Sequence, residues 1–254
     1  PDVTTCVNNP VQLDATVTVH PGTNYTVAWT PATGLNNATI EDPIASPLSD
    51  ITYQVVVTAA GGCKDTDEVN IIVVQGFDLL TPDTAICLGD TVHIRGSGDS
   101  RYTYAWRPTD GVSNPNILTP DIAPDSSGYY SVTATHPGCR DSVRTIFIDV
   151  QPVPTVDLGA DQILCYGDTF RLRPDISPDY DQYTYTWNPG GGLAPGPNVR
   201  EPLYTGYQTT TLTLTVSTPA GCLGADDILL EVIPPDIITA SNDTAICPGD
   251  TIQL

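Results

Sequence analysis

Hydrophobic and polar residues alternate along the first part of the chain, which is the period-two pattern of a half-buried β-strand. Val11–Val19 (VQLDATVTV) alternates, and Tyr25–Trp29 alternates again after a His-Pro-Gly turn. Ile51–Thr58 and Val69–Val74 flank a Gly-Gly-Cys turn, which predicts a β-hairpin. The segment between them, Pro31–Pro47, is rich in proline and asparagine and is expected to be a loop with short edge strands.

The same order of alternating segments follows twice more along the chain. Short strands separated by frequent turn signals are typical of a β-sandwich, so the sequence predicts an all-β fold built from sandwiches. The further predicted strands are Thr91–Arg95, Tyr102–Trp106, Tyr129–Thr135 and Val143–Val150, then Thr169–Arg173, Tyr183–Trp187, Thr209–Ser217 and Ile228–Val232.

Three sequence marks recur in one order and divide the chain into tandem domains. A cysteine motif, TPDTAICLGDTVHI at Thr81–Ile94, returns as GADQILCYGDTFRL and SNDTAICPGDTIQL, and a diverged copy opens the chain. Its cysteines, at positions 6, 87, 165 and 247, are 81, 78 and 82 residues apart, too long a period for a solenoid repeat. An aromatic-Trp-x-Pro run and a Gly-Cys pair keep the same step. The predicted domains are 1–76, 77–152, 153–235 and a truncated fourth at 236–254, so we expect a fragment of a longer protein.

Composition agrees with strands and turns, and the charge excludes some partners. The chain has 24 Pro, 21 Gly, no Met and 30 acidic against 9 basic residues, for a net charge of −21. Such a charge disfavours nucleic acid and anionic membrane surfaces as partners. No transmembrane run is present, so direct membrane insertion is not expected. The proline-containing connectors between domains predict an extended, semi-rigid arrangement.

Each predicted domain has one tryptophan, at Trp29, Trp106 and Trp187. A single tryptophan in the second strand of a sandwich usually packs between the two sheets. We therefore expect all three to be core residues and not ligand platforms.

The pattern DTxIC-GDT, then YTYxWxP, then an alternating strand ending in Gly-Cys, resembles the PKD-like, immunoglobulin-like repeats of very large bacterial surface proteins. These repeats occur in gliding and filamentous bacteria of the Bacteroidetes group. The resemblance covers the whole chain. It implies immunoglobulin-like sandwiches in an extracellular adhesin, stalk or appendage filament exported by the type IX route. Repeat one departs from the pattern, because Asn8-Asn9-Pro10 replaces the Gly-Asp of the other copies.

Regularly spaced cysteines without a CxxC cluster indicate disulfides and an oxidising compartment. The candidates are Cys6, Cys63, Cys87, Cys139, Cys165, Cys222 and Cys247. The simplest scheme pairs the two cysteines of each repeat, Cys6–Cys63, Cys87–Cys139 and Cys165–Cys222. In an immunoglobulin-like sandwich, however, those two positions lie at opposite poles, roughly 20 Å apart. The alternative is a set of cross-repeat staples, Cys6–Cys139 and Cys87–Cys222, with the other cysteines paired outside or unpaired.

No sequence motif of an enzyme is present, and the three histidines do not recur at equivalent positions, so we expect no catalytic activity. Three function classes stay open. The first is a structural and adhesive repeat segment that contacts neighbouring repeats and cell or abiotic surfaces. The second is a subunit of an assembled appendage in which other copies are partners. The third is an array of carbohydrate-binding modules, which would need exposed aromatic side chains.

Two further expectations concern modification and ions. Asp-Ser/Thr followed by a small or aliphatic residue resembles a bacterial O-glycosylation pattern, with candidates at Thr84, Thr91, Ser142, Thr244 and Thr251; turn formation by the aspartate is the simpler explanation. No cofactor is expected. Calcium is the alternative, since hard carboxylate oxygens near the connectors suit it, at Asp78, Asp83, Asp149, Asp157, Asp161, Asp236 and Asp243.

Overall fold

The computed structural model describes residues 2–18, 20 and 22–235. Within these residues the chain forms β-strands, turns and loops, and no helix is long and apolar enough to cross a membrane. The predicted all-β fold of tandem immunoglobulin-like sandwiches is confirmed. Residues 236–254, the predicted start of a fourth repeat, lie outside the described part.

Repeat one is built around a four-stranded sheet in the order β1-β6-β5-β3. Strand β1 is parallel to β6, whereas β3–β5 and β5–β6 are antiparallel. A small second sheet joins β2 and β4. The strands are β1 (Val3–Cys6), β2 (Val11–Gln12), β3 (Tyr25–Thr30), β4 (Ile44–Ala45), β5 (Ile51–Ala59) and β6 (Lys64–Val74).

Repeat two has the corresponding four-stranded sheet, in the order β11-β13-β14-β8, and two small sheets, β12-β9 and β10-β7. Its strands are β7 (Asp78–Leu79), β8 (Thr84–Cys87), β9 (Val92–His93), β10 (Gly96–Ser97), β11 (Thr103–Arg107), β12 (Asp121–Ile122), β13 (Gly128–Thr135) and β14 (Ser142–Gln151).

Repeat three has the same arrangement, with the four-stranded sheet β16-β23-β22-β19 and the small sheets β17-β21-β20 and β15-β18. Strand β16 is parallel to β23, as β1 is to β6. Its strands are β15 (Thr155–Asp157), β16 (Gln162–Cys165), β17 (Thr169–Arg171), β18 (Asp175–Ser177), β19 (Thr184–Asn188), β20 (Leu193–Ala194), β21 (Leu203–Thr205), β22 (Thr210–Ser217) and β23 (Leu223–Ile233).

Each repeat encloses its own hydrophobic core, and alternation along the strands supplies it. In β22 every second side chain points inward, so that Leu212, Leu214 and Val216 are fully buried while the threonines between them are not. This is the inside-outside pattern of a strand with one face on a core. Separate core clusters form around Trp29, Trp106 and Trp187.

The chain divides into two compact units, Pro1–Val150 and Gln151–Leu254. The first unit contains repeats one and two together, and the second contains repeat three. The contact between repeats one and two is therefore internal to one unit.

One predicted strand differs clearly from the structure. Val11–Val19 was expected to be a single strand, but only Val11–Gln12 is one, and residues 13–18 belong to no strand. The equivalent stretches of repeats two and three do form strands, β10 and β18, because each pairs with the segment that leads into its repeat.

Candidate functional site: the junction between repeats one and two

The position of the first cysteine in repeat one is set by the parallel pairing of β1 with β6. The register places Cys6 opposite Val74, the last residue of β6. Cys63 directly precedes Lys64, the first residue of the same strand. At about 3.3 Å per residue, the two ends of this strand are roughly 35 Å apart. Since a disulfide needs Cα atoms within about 7 Å, Cys6 and Cys63 cannot pair in the folded repeat.

Cys6 is instead bonded to Cys139 in the next repeat, with their Cα atoms 5.7 Å apart. Cys139 lies in the turn between β13 and β14, where its N–H donates to the carbonyl of His136 at 3.0 Å. The sulfur of Cys6 also lies 3.4 Å from the carbonyl oxygen of Gly138. The bond thus joins the end of the first strand of one repeat to the hairpin turn of the following repeat.

The three within-repeat pairs of the simplest scheme are therefore wrong. Cys139 is bonded to Cys6, and Cys63 and Cys165 are exposed free thiols in this structure, although both were candidates for disulfides. Cys87 and Cys222 both take part in disulfide bonds. Their pairing with each other stays a prediction from the repeat, and Cys247 lies outside the described residues.

Polar contacts tie the two repeats together a second time. Arg101 of repeat two donates to Asp50 of repeat one at 3.3 Å and bonds Asp99 at 3.1 Å. The backbone N–H of Gln75, at the end of repeat one, donates to Asp99 Oδ2 at 2.9 Å, and the Gln75 side chain donates to the carbonyl of Leu48 at 2.9 Å. The connector is therefore held from both sides.

Asp99 is the central acceptor of these contacts, and its side chain is only 6% exposed. Burial alone acts to raise the pKa of the Asp99 carboxyl. The N–H groups of Arg101 and Gln75, together with the positive charge of Arg101, outweigh this and hold the pKa below its ordinary value. The junction is thus built around an ionised carboxylate.

The Gly-Asp of the cysteine motif forms a turn directly after the first strand. In repeat two the N–H of Asp90 donates to the carbonyl of Cys87 at 2.9 Å, and Asp90 Oδ2 accepts the N–H of Cys87 at 3.2 Å. Gly89 has a φ of +95°, a left-handed conformation that glycine adopts readily. In repeat one, Asn8 takes this position with a φ of 64°, which asparagine tolerates better than most residues. The motif is therefore explained by turn formation.

The three tryptophans are buried, with 6%, 0% and 2% of Trp29, Trp106 and Trp187 exposed. Each indole N–H donates at 2.9 Å to a backbone carbonyl of the following proline-containing loop, at Ile40, Ile117 and Val199. A cis proline follows each tryptophan by two positions. The tryptophans thus fix these loops against the core and present no aromatic face to solvent.

The candidate glycosylation residues differ in exposure. Thr91 is exposed, Thr84 and Ser142 are half-buried, and Thr244 and Thr251 lie outside the described residues. The neighbouring aspartates serve the backbone: Asp83 Oδ1 accepts the N–H of Phe147 at 2.8 Å. Glycosylation at these residues stays a prediction.

Within the described residues, no three or more His, Cys, Asp or Glu side chains form a group that could hold a metal ion. Connector aspartates make contacts of their own there. Asp78 accepts from Arg144 at 2.9 Å, and this hydrogen bond is the main cause that keeps the pKa of Asp78 below its ordinary value. Asp149 accepts from Ser127 at 3.0 Å. Asp236 and Asp243 lie outside the described residues.

Exposed aromatic pairs are a feature that the sequence reasoning missed. Tyr129, 69% exposed, packs against Phe147 with ring centroids 4.8 Å apart. In repeat three, Tyr166 and Tyr207 are 53% and 61% exposed and 5.4 Å apart. Tyr129 opens the predicted strand Tyr129–Thr135, and its position on β13 alternates with that of buried Tyr130, so that its side chain points outward.

Comparisons with known proteins bear on the fold alone. No protein-family model and no curated protein matches this chain. Among solved structures, the eight N-terminal Ig domains of Down Syndrome Cell Adhesion Molecule match with 13% identity and a TM-score of 0.52, covering 91% of this chain and 36% of that one. Extracellular domains 3–5 of Drosophila OTK match with 13% identity, a TM-score of 0.47 and coverage of 91% and 94%. The I67–I69 fragment of titin matches with 10% identity, a TM-score of 0.47 and coverage of 91% and 95%.

Proposed function

We propose that this chain is a structural and adhesive repeat segment of a large extracellular surface protein, in which stapled repeats form a stiff stalk for cell-surface attachment. The observation that carries the proposal is the Cys6–Cys139 bond between consecutive repeats. A disulfide confined to one repeat would stabilise that repeat only. A bond across the junction constrains the angle between two repeats, which is the property a load-bearing spacer needs.

The connection between repeats one and two supports stiffness in two ways. The chain passes from β6 to β7 through only Gln75, Gly76 and Phe77, and Phe77 is 5% exposed in the core of repeat two. The disulfide forms a second covalent path between the same two repeats. Two covalent paths, with the Asp50–Arg101 ion pair beside them, leave no single-strand hinge about which the repeats turn freely.

Chemistry and charge support an extracellular location. Disulfides persist in oxidising environments such as cell surfaces and secreted proteins. A net charge of −21 keeps the surface soluble and disfavours nucleic acid as a partner. The sequence resemblance adds the finer proposal of a Bacteroidetes-type surface protein exported by the type IX route. We propose no catalytic role for the chain.

The stalk proposal is tested by the spread of distances between repeats one and two. Spin labels on non-canonical residues placed at exposed Thr66 and Thr119 report that distance by pulsed electron resonance. We expect a narrow distribution in the oxidised chain and one at least about twofold wider in a Cys6→Ser, Cys139→Ser chain, because one of two covalent paths is lost. Cys63→Ser removes a free thiol and is the matched control. Equal widths in all three chains contradict the proposal.

Exposed aromatic pairs favour carbohydrate binding as a second candidate. Aromatic faces in water are the feature that such modules require, and Tyr166 with Tyr207 supplies one such pair. Tyr166→Ala with Tyr207→Ala should abolish retention on a polysaccharide column if this candidate holds, with Tyr129→Ala as the comparison in another repeat. The further alternative, a subunit of an assembled appendage, predicts a defined oligomer of the chain by mass photometry.

A further inference from the structure

In repeats two and three, an extended segment that precedes the first strand packs onto the core. Strand β7 pairs with β10, so that Leu79 lies opposite Gly96, and the preceding Phe77 is buried. Strand β15 pairs with β18, so that Val156 lies opposite Ile176, and Val156 packs against the core of repeat three. We call such a segment a lead-in. Each lead-in covers one open side of its sandwich.

Each lead-in also contacts one fixed position on the last strand of its repeat. The ladders place Trp106, Val132 and Arg144 in one row, and Arg144 Nε donates to Asp78 of the lead-in at 2.9 Å. In repeat three the row ends at Asp226, whose Oδ2 accepts the N–H of Leu158 at 2.8 Å. The same row in repeat one runs from Trp29 through Val55 to Asp67.

Repeat one has a groove where the other two repeats have a lead-in. Its volume is about 710 Å³, its floor includes Leu13, Trp29, Val55 and Val57, and its walls are residues 14–18 and residues 64–69. The floor is less covered than its counterparts, since Val55 is 6% exposed and both Val132 and Leu214 are 0% exposed. The groove is therefore an opening into the hydrophobic core.

We infer that this groove binds an extended lead-in of apolar-Asp-Leu pattern, joined to the N-terminal side of Val3 in the same polypeptide. The apolar residue covers Trp29 and Val55, and the backbone pairs with the strandless stretch at residues 15–17. An N–H of the segment donates to Asp67, as Leu158 donates to Asp226. Strand addition to an unpaired edge is a recurring mode of peptide recognition. The occupant is identified by repeats two and three, in each of which a lead-in occupies the equivalent position.

Charge selects between the two kinds of lead-in seen in this chain. The wall of the groove carries Asp65, Asp67 and Glu68 against one basic residue, Lys64. Repeat two holds its lead-in by pairing Asp78 with a cation, Arg144, whereas repeat three uses a carboxylate and a backbone N–H. Asp67 matches the second arrangement. The occupant is therefore of the repeat-three type, which presents an N–H and not a carboxylate to this position.

Adding a lead-in to the intact chain tests the inference. The eight residues Pro152–Gly159 (PVPTVDLG) are fused directly before Pro1, which reproduces their spacing to the first cysteine of repeat three. We expect backbone hydrogen exchange at residues 15–17 to slow by about tenfold or more, because these residues gain strand pairing with the added segment. The equivalent residues of repeats two and three should be unchanged.

Two controls make the test specific. The same fusion with Val156→Asp and Leu158→Asp in the added copy should leave exchange as in the parent chain. Asp67→Ala, introduced into the fusion that carries the unaltered lead-in, should restore at least half of the decrease in the exchange rate. Unchanged exchange on fusion overturns the inference, and so does equal slowing by both fusions. Slowing that depends on protein concentration without any fusion also overturns it, because a second copy is then the occupant. None of these outcomes depends on the stalk function.

Discussion

Removing the Cys6–Cys139 bond should markedly lower the stability of repeat one. When repeat one unfolds beside a folded repeat two, Cys6 is tethered to Cys139 and the end of the repeat is tethered to the connector. The unfolded segment is then a closed loop of roughly 70 residues, and closing it lowers the entropy of the unfolded chain by an amount worth about 4 kcal/mol. A Cys6→Ser, Cys139→Ser chain should lose about this free energy of unfolding in repeat one.

Local hydrogen exchange measures this loss without interference from the other repeats. The slowest amides of β5 (Ile51–Ala59) report the unfolding of repeat one alone. A loss of about 4 kcal/mol corresponds to exchange roughly a thousand times faster. In a thermal scan the same loss lowers the transition of a domain of this size by about 15–30 °C. The control, Cys63→Ser, should leave both measurements unchanged because Cys63 is an exposed free thiol.

A small effect would refute the reasoning. If exchange in β5 rises by less than about fivefold in the double variant, the loss is below about 1 kcal/mol. The disulfide would then restrict the unfolded chain too little to stabilise repeat one appreciably. An equal loss in repeat three would instead show that the repeats unfold as one cooperative body.

Four other outcomes are expected. Trp106→Ala, at a fully buried site, should destabilise repeat two by about 3–5 kcal/mol in denaturant titrations, whereas exposed Tyr129→Ala should change it by less than about 1 kcal/mol. Because Asp99 has a lowered pKa in the fold, its contribution is present above the unfolded pKa of about 3.9 and is lost as pH falls through the lower folded value; Asp99→Asn should flatten the stability profile below about pH 5, and an unchanged profile contradicts this. Native protein glycosylated at sites such as Thr91 should exceed its polypeptide mass by whole sugar units, and a bare polypeptide mass ends that prediction. If calcium binds at the connectors, a chelator should lower the melting temperature, and an unchanged value ends the calcium proposal.

Local pattern was sufficient to predict the fold. Alternation in segments such as Thr209–Ser217 identifies strands because neighbouring residues of a strand point alternately into the core and into solvent. The burial of Trp106 follows in the same way, since a large aromatic side chain in the middle of an alternating strand is most stable when it packs in the core. The repeat period then extends these local predictions to the whole chain.

The cysteine pairing and the interruption of the predicted strand Val11–Val19 depend on partners that are distant in sequence. Spacing alone favoured Cys6–Cys63, whereas the topology expected of an immunoglobulin-like sandwich offered Cys6–Cys139 as the alternative. The parallel register of β1 with β6 decides between them, because it places Cys6 and Cys63 at opposite ends of one strand. Residues 13–18 alternate as a strand should, yet alternation does not supply a pairing edge. The outward position of Tyr129 likewise depends on which residue of a Tyr-Tyr pair faces the core.

The staple between repeats also fixes an order of events as the chain emerges N-terminus first. Cys6 has no correct partner until Cys139 appears 133 residues later, but Cys63 appears after 57 residues. An oxidant that acted on the nascent chain at once would therefore join Cys6 to the wrong thiol. Folding of repeat one before oxidation should prevent this, because pairing β1 beside β6 places Cys6 and Cys63 at opposite ends of β6. The parallel pairing of β1 with β6 thus disfavours the wrong disulfide. A chain that is oxidised before it folds should accumulate the Cys6–Cys63 isomer.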